Sequence, residues 1–142
     1  MKNKVGLAEQ KLILTFGYGN RKNYDQFLEY LKEYNVHFVI DVRSKPRAWS
    51  RKWYGDQIYK FCNLNNIQYI SKTELGNESG NKNWIPPNKN EANLALQEVA
   101  KLAEEGTVLL LCAEMNHHRC HRLDVANHLK QLIPNNSIKH LE

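Results

Sequence analysis

Short, nearly continuous apolar runs alternate along this chain with longer stretches of helical period, and no other feature restricts its fold so strongly. A run that is apolar at successive positions suits a strand covered on both faces, and the helical stretches between runs supply the cover. Parallel βαβ construction follows. The strand candidates are Leu12 to Phe16, stopped by Gly17 and Gly19; Phe38-Val39-Ile40; Gln68-Tyr69-Ile70; Val108 to Leu111, opened by Gly106 and Thr107; and the terminal Ile138 to Leu141.

Four helices are expected between them. Tyr24, Phe27, Leu28 and Leu31 share one helical face, with Asn23 and Gln26 spaced as an N-cap and its reciprocal partner. Ile58, Phe61 and Cys62 mark a shorter helix from about residue 54 to 65. Leu96, Val99, Ala100 and Ala103 mark a third, with Asn90 as its N-cap and Gly106 beyond its end. Val125, Leu129, Leu132 and Ile133 mark the fourth, which Pro134 stops. The expected architecture is a single three-layer α/β domain: a mostly parallel sheet of about five strands flanked by helices. A length of 142 residues suits one such domain.

Residues 71–89 hold Gly76, Gly80, Pro86 and Pro87 without any period and read as a long loop, the kind that serves as a functional lid or stays disordered. Residues 1–10 contain Lys2, Lys4 and Glu9 and no long apolar stretch, so a loose segment is expected there rather than a signal peptide or membrane anchor. Three cysteines at irregular spacing are poor material for a disulfide framework, which points to a reducing compartment, the cytoplasm, with no membrane partner. The sequence specifies no oligomeric state and requires no cofactor.

Twenty Lys and Arg against fifteen Asp and Glu give a formal charge of +5, which favours anionic partners and leaves an anionic small molecule such as a phosphate, nucleic acid and an acidic protein all open. The basic residues form no block, so a local pocket of arginines is expected rather than a coating tail.

The unusual residues fall just after the strands. If the connections are right-handed crossovers in a parallel sheet, all these strand ends point one way and their loops make one rim, where ligands of open α/β sheets bind. Gly17-Tyr18-Gly19-Asn20-Arg21 follows the first strand and suits either an amide cradle for an anion or a tight strand-to-helix turn. Asp41 and Arg43 follow the second; Arg43 can grip a phosphate or carboxylate and Asp41 can orient it or act as a base, or the two form a structural ion pair. Beyond Pro46, the residues Arg47, Arg51, Trp49 and Trp53 interleave charge with rings, which suits nucleotide or single-strand stacking.

The densest cluster is Cys112, Glu114, His117, His118, Cys120, His121 and Arg122. With Asn116 as cap, Cys120 to Arg122 open the fourth helix, and a thiol there gains thiolate character. Cys112, Glu114, Cys120 and His121 form an alternative metal set, though their spacing matches no standard motif and a metal is not favoured. Cys62 reads as a core residue, and a core position is also open for Cys112, as buried strand cysteines commonly take.

The ordered motifs Thr15-Phe16-Gly17-Tyr18-Gly19-Asn20-Arg21, Val39-Ile40-Asp41-Val42-Arg43 with Pro46, Glu74-Leu75-Gly76, Leu111-Cys112-Ala113-Glu114 and Cys120-His121-Arg122 resemble the uncharacterised domain of unknown function 488 family, from Leu12 to about Leu141. That family carries Leu-Gly-Gly where this chain has Leu75-Gly76-Asn77, and Asn tolerates positive φ better than most residues. The resemblance puts weight on Cys112, Glu114, Cys120, His121 and Arg122 and brings no activity with it.

Three functions remain open. In the first, Gly17, Tyr18, Gly19, Asn20, Arg21, Arg43 and Arg122 hold an anionic, phosphate-bearing ligand while Glu114, Asp41, His121 and Cys120 supply acid, base, proton-shuttle and thiol chemistry. The second is a metal-binding or thiol-redox protein, and the third a non-catalytic nucleic-acid or protein binding module.

Overall fold

The structure is a computed structural model that describes residues 11–142, apart from the side chain of His117. The loose segment expected over residues 1–10 lies outside the described residues. Among the described residues five strands alternate with four helices: β1 (Leu12–Gly17), α1 (Asp25–Glu33), β2 (Val36–Asp41), α2 (Gly55–Leu64), β3 (Gln68–Ser71), α3 (Lys89–Glu105), β4 (Thr107–Cys112), α4 (Arg122–Leu132) and β5 (Ser137–Leu141). Short 3-10 turns cover Arg51–Trp53, Thr73–Leu75 and His117–Arg119. The sheet order is β3-β2-β4-β1-β5 and every pairing is parallel.

Strand β4 lies at the centre and is buried at all its positions, which is why its sequence is the most continuously apolar. Successive side chains point to opposite faces. Ile13, Ile40, Val108, Leu110 and Cys112 pack with α3 and α4, while Leu14, Phe16, Val39, Leu109 and Leu111 pack with α1 and α2. Register sets the rim: Gly17 lies beside Cys112, and Asp41 pairs Leu111 on one side and Ser71 on the other, so β1, β2, β3 and β4 finish level.

Three expected caps are relocated. Tyr24 occupies the N-cap of α1; Asn23 accepts from the Asp25 amide at 3.0 Å in a turn ahead of the helix, and Gln26 bonds Glu29 instead of reaching back. Asn88, not Asn90, caps α3, accepting from the Glu91 amide at 2.9 Å. Asn116 accepts from the His118 amide at 2.9 Å and so opens the 3-10 turn, which leaves Cys120 and His121 ahead of α4 rather than inside it. All three errors share a cause: Asn bonds the first suitable amide in its own turn, and sequence spacing alone does not say which amide that is.

Residues 71–89 are tied down. Asn77 accepts from the amides of Ser79 and Ile85, Trp84 Nε1 donates to the Gly76 carbonyl at 3.0 Å, and the Trp84 ring meets His128 of α4 edge-on. No helix among the described residues is long and apolar enough to cross a membrane.

Candidate functional site

The glycine loop after β1 spends its amides on the neighbouring strand end. Tyr18 N–H donates to the Cys112 carbonyl at 3.1 Å and Gly19 N–H to the Ala113 carbonyl at 2.7 Å, so these two amides are not available to cradle an anion. The glycines serve close approach instead. A Cβ at Gly17 would stand 1.8 Å from the Glu114 carbonyl oxygen, and one at Gly19, where φ is +53°, would stand 2.0 Å from Met115 Cγ. The loop after β4 therefore packs directly on the loop after β1.

Asp41 and Arg43 form a buried, two-pronged ion pair, Nη2 to Oδ2 at 2.7 Å and Nε to Oδ1 at 2.8 Å. Tyr69 donates its hydroxyl to Asp41 at 2.5 Å. The remaining donor of Arg43, Nη1, reaches the Trp53 carbonyl at 2.8 Å and the Arg47 carbonyl and Tyr18 hydroxyl at 3.2 Å each. Burial works against the Arg43 charge, but the hydrogen bonds and charge of Asp41 outweigh it and hold the guanidinium ionised. Burial, then the Asp41 charge, pushes the Tyr69 phenol up. With its carboxylate this fully engaged, Asp41 has little capacity left to act as a base. The pair fastens the Arg47–Trp53 segment to the end of β2, and Tyr69, two residues before the end of β3, is the partner that strand-end reasoning passed over.

That segment presents two tryptophans to opposite worlds. Trp53 is 1% exposed, stacks on Tyr18 at 5.0 Å and donates Nε1 to the Arg21 carbonyl at 2.8 Å. Trp49 is wholly exposed. Arg21 lies over the Phe16 ring and donates Nη2 to the Glu142 carbonyl at 2.8 Å. Together with Tyr18, Asn20, Lys22 and Arg47, Arg21 and Trp49 line a cavity of about 750 Å³. A smaller cavity of about 270 Å³ adjoins it across Tyr18, Arg47 and Ala113, and its wall includes Arg43, Lys45, Asn77, Cys112 and His121.

Behind the smaller cavity Cys112, Cys120 and His121 come together. Their sulfurs and the imidazole Nδ1 all lie within 4.8 Å of one another. His121 Nε2 stands 2.9 Å from the Val42 carbonyl and 3.0 Å from the Leu75 carbonyl, and a carbonyl only accepts, so Nε2 carries hydrogen and Nδ1 faces the sulfurs. The Leu75 contact depends on its neighbour. A Cβ at Gly76 would stand 2.5 Å from Ser44 Cα, so only glycine lets this turn lie against the loop after β2. Gly76 is extended and the described residues with positive φ do not include Asn77, so Asn after Gly76 brings no strain. The two thiols share their ionisation: the hydrogen bond from Cys112, with help from His121, lowers the Cys120 thiol, while Cys120 and burial raise that of Cys112.

Glu114 does not belong to this group. It is exposed, its carboxylate lies 3.4 Å from the Asn116 amide, and its contribution to the core is a main-chain carbonyl that accepts from Arg122. Arg122 is fully buried and also donates to the Met115 carbonyl at 3.1 Å, so it holds the β4 loop from beneath and does not reach the rim.

Fold and site together define a three-layer parallel α/β protein whose strand-end rim joins a basic, aromatic cleft to a dithiol and imidazole cluster. The chain belongs to the family described as Domain of unknown function DUF488, whose model matches residues 23–129. The matched span is shorter than Leu12 to Leu141; it contains Asp41, Arg43 and the whole Cys112 to Arg122 loop and leaves out β1 and its glycine loop. No curated protein and no solved structure matches the chain.

Proposed function

We propose that this protein binds a phosphate-bearing ligand with a planar ring, of the nucleotide class, in the cleft over the carboxyl ends of β1 and β2. The observation that carries this reading is Trp49, fully exposed at the edge of a cavity of about 750 Å³ that Arg21, Lys22 and Arg47 also line. An exposed indole costs stability nothing to expose further, and a base stacked on it gains about 1–3 kcal/mol. Arg47 and Lys22, both exposed, are free to meet phosphate. Binding is favoured over acid and base catalysis because Asp41 is consumed by Arg43 and Tyr69, and Glu114 stands away from both the cluster and the cavities.

Fluorescence titration with nucleoside monophosphates, nucleoside triphosphates and a short single-stranded oligonucleotide tests this directly. Trp49→Ala should weaken binding roughly 5- to 150-fold, the equivalent of that stacking energy, with no change in melting temperature. Arg47→Ala should weaken it and reduce its salt dependence. Absence of saturable binding, or equal affinity in Trp49→Ala, would refute the reading.

A further inference from the structure

We infer that Cys112, Cys120 and His121 form a three-donor site for a thiophilic divalent metal ion of the zinc class, with a fourth coordination position facing the smaller cavity. The spacing of the donors supports it. Zn–S distances near 2.3 Å and Zn–N distances near 2.0–2.1 Å in a tetrahedron put sulfur and nitrogen about 3.6 Å apart and two sulfurs about 3.8 Å apart. Here Nδ1 lies 3.9 Å from Cys112 Sγ and 3.8 Å from Cys120 Sγ, within a few tenths of an ångström of those values, and the two sulfurs lie within 4.8 Å of each other.

The surroundings suit a metal as well. Ligating histidines usually donate their second ring nitrogen to an oxygen that fixes tautomer and ring orientation, and His121 Nε2 does this twice, to Val42 and Leu75. Two thiolates and a neutral imidazole cancel the charge of a divalent ion. A neutral assembly is what a site with its three donors 5–7% exposed can tolerate. A disulfide between the same two sulfurs would leave the buried Nδ1 lone pair with neither donor nor ion, whereas a metal engages all three atoms. The three ligands come from the end of β4 and the turn before α4, both held by packing and by Arg122 beneath them, so the site is largely pre-formed.

With three protein donors and an open side, the site has the pattern of catalytic rather than structural zinc. Cys112 and His121 line the cavity whose other walls carry Arg43, Lys45, Arg47 and Asn77, so the fourth position takes water or an oxygen of an anionic molecule. Glu114, the fourth member that sequence suggests, is not needed and is not near. This inference stands apart from the nucleotide reading, because it concerns metal bound with no other ligand added.

The test is titration of the reduced, chelator-treated full chain with Co²⁺ and then Zn²⁺. One equivalent of Co²⁺ should bind with a thiolate-to-cobalt charge-transfer band and intense tetrahedral ligand-field bands, and Zn²⁺ should displace it. Cys112→Ser, Cys120→Ser and His121→Ala should each abolish those bands or weaken affinity beyond the roughly 10- to 100-fold that loss of an outer-shell partner costs. Because those variants remove buried side chains and so also test the fold, alkylation of the wild-type protein provides a second measurement: Zn²⁺ should protect Cys112 and Cys120 and leave the rate at buried Cys62, on the opposite face of the sheet, unchanged. Substoichiometric or octahedral Co²⁺ without sulfur bands overturns the site, as does a Cys112–Cys120 disulfide that forms in air while metal has no effect on either thiol.

Discussion

Replacing Arg43 by Met keeps most of the side chain's length and removes only its charge and donors, which makes it a sharp test of whether the rim arginine supports the fold or serves a ligand. The wild-type guanidinium gives two short bonds to Asp41 and further bonds to three oxygens on Tyr18, Arg47 and Trp53. In the variant Asp41, 0% exposed, keeps only Tyr69 and the Arg43 main-chain amide as donors. Breaking one partner of a buried pair costs about 3–5 kcal/mol, because the surviving charge stays desolvated. Against a total stability of about 5–15 kcal/mol, that is a large fraction. Urea denaturation followed by far-UV circular dichroism should show the midpoint falling by at least about 1 M, given slopes of about 1–3 kcal/mol/M. Asp41→Asn in the Arg43→Met background should then restore part of the loss, so the double-variant cycle shows strong coupling. An Arg43→Met protein with an unchanged midpoint, or strictly additive effects, would refute the structural role and return Arg43 to the ligand.

Gly17→Ala places a methyl group against the Glu114 main chain and should lower stability by about 1–3 kcal/mol or more; a thermal melt indistinguishable from wild type would show that the two rim loops do not pack as described. Alkaline pH supplies another check. Burial raises the Cys62 thiol to about 12 and the Tyr24 phenol to about 12, and burial with Asp41 raises Tyr69 as well. Each group is neutral when protonated and its folded pKa lies above the unfolded one, so its contribution is complete below the unfolded pKa and is lost as pH climbs toward the folded value. Stability should therefore hold to about pH 8 and decline above it, and Cys62→Ala should make the decline shallower by up to about 1.4 kcal/mol per pH unit; equal slopes in urea melts at pH 9–11 would contradict the burial of that thiol.

Much of the fold was legible because it rests on local rules. Val108 to Leu111 is apolar in succession since β4 is covered on both faces, and the Phe27 and Leu31 face of α1 follows from helical period. Caps were less legible: Asn88, Asn90, Asn116 and Asn23 are chemically equivalent, and the choice among them depends on where the chain turns. The candidate site divides the same way. Cys112, Cys120 and His121 stand out as reactive residue types, yet nothing in their spacing separates them from Glu114, which follows Cys112 by two residues but is exposed and lies outside the group of three.

By itself the sequence determined the element types, the parallel α/β class and the gathering of polar residues after the strands, because hydrophobic period and turn chemistry act over a few neighbouring residues. Only the tertiary structure decided what each polar residue does. Asp41 and Arg43 neutralise one another at the carboxyl end of β2, Arg122 is committed to carbonyls, Trp49 is left in solvent while Trp53 is buried, and His121 turns Nδ1 to two sulfurs because carbonyls from Val42, just after β2, and from the turn before Gly76 hold its other nitrogen. Those outcomes depend on desolvation and on partners brought from as far as 79 residues away in the chain, and no local pattern encodes either.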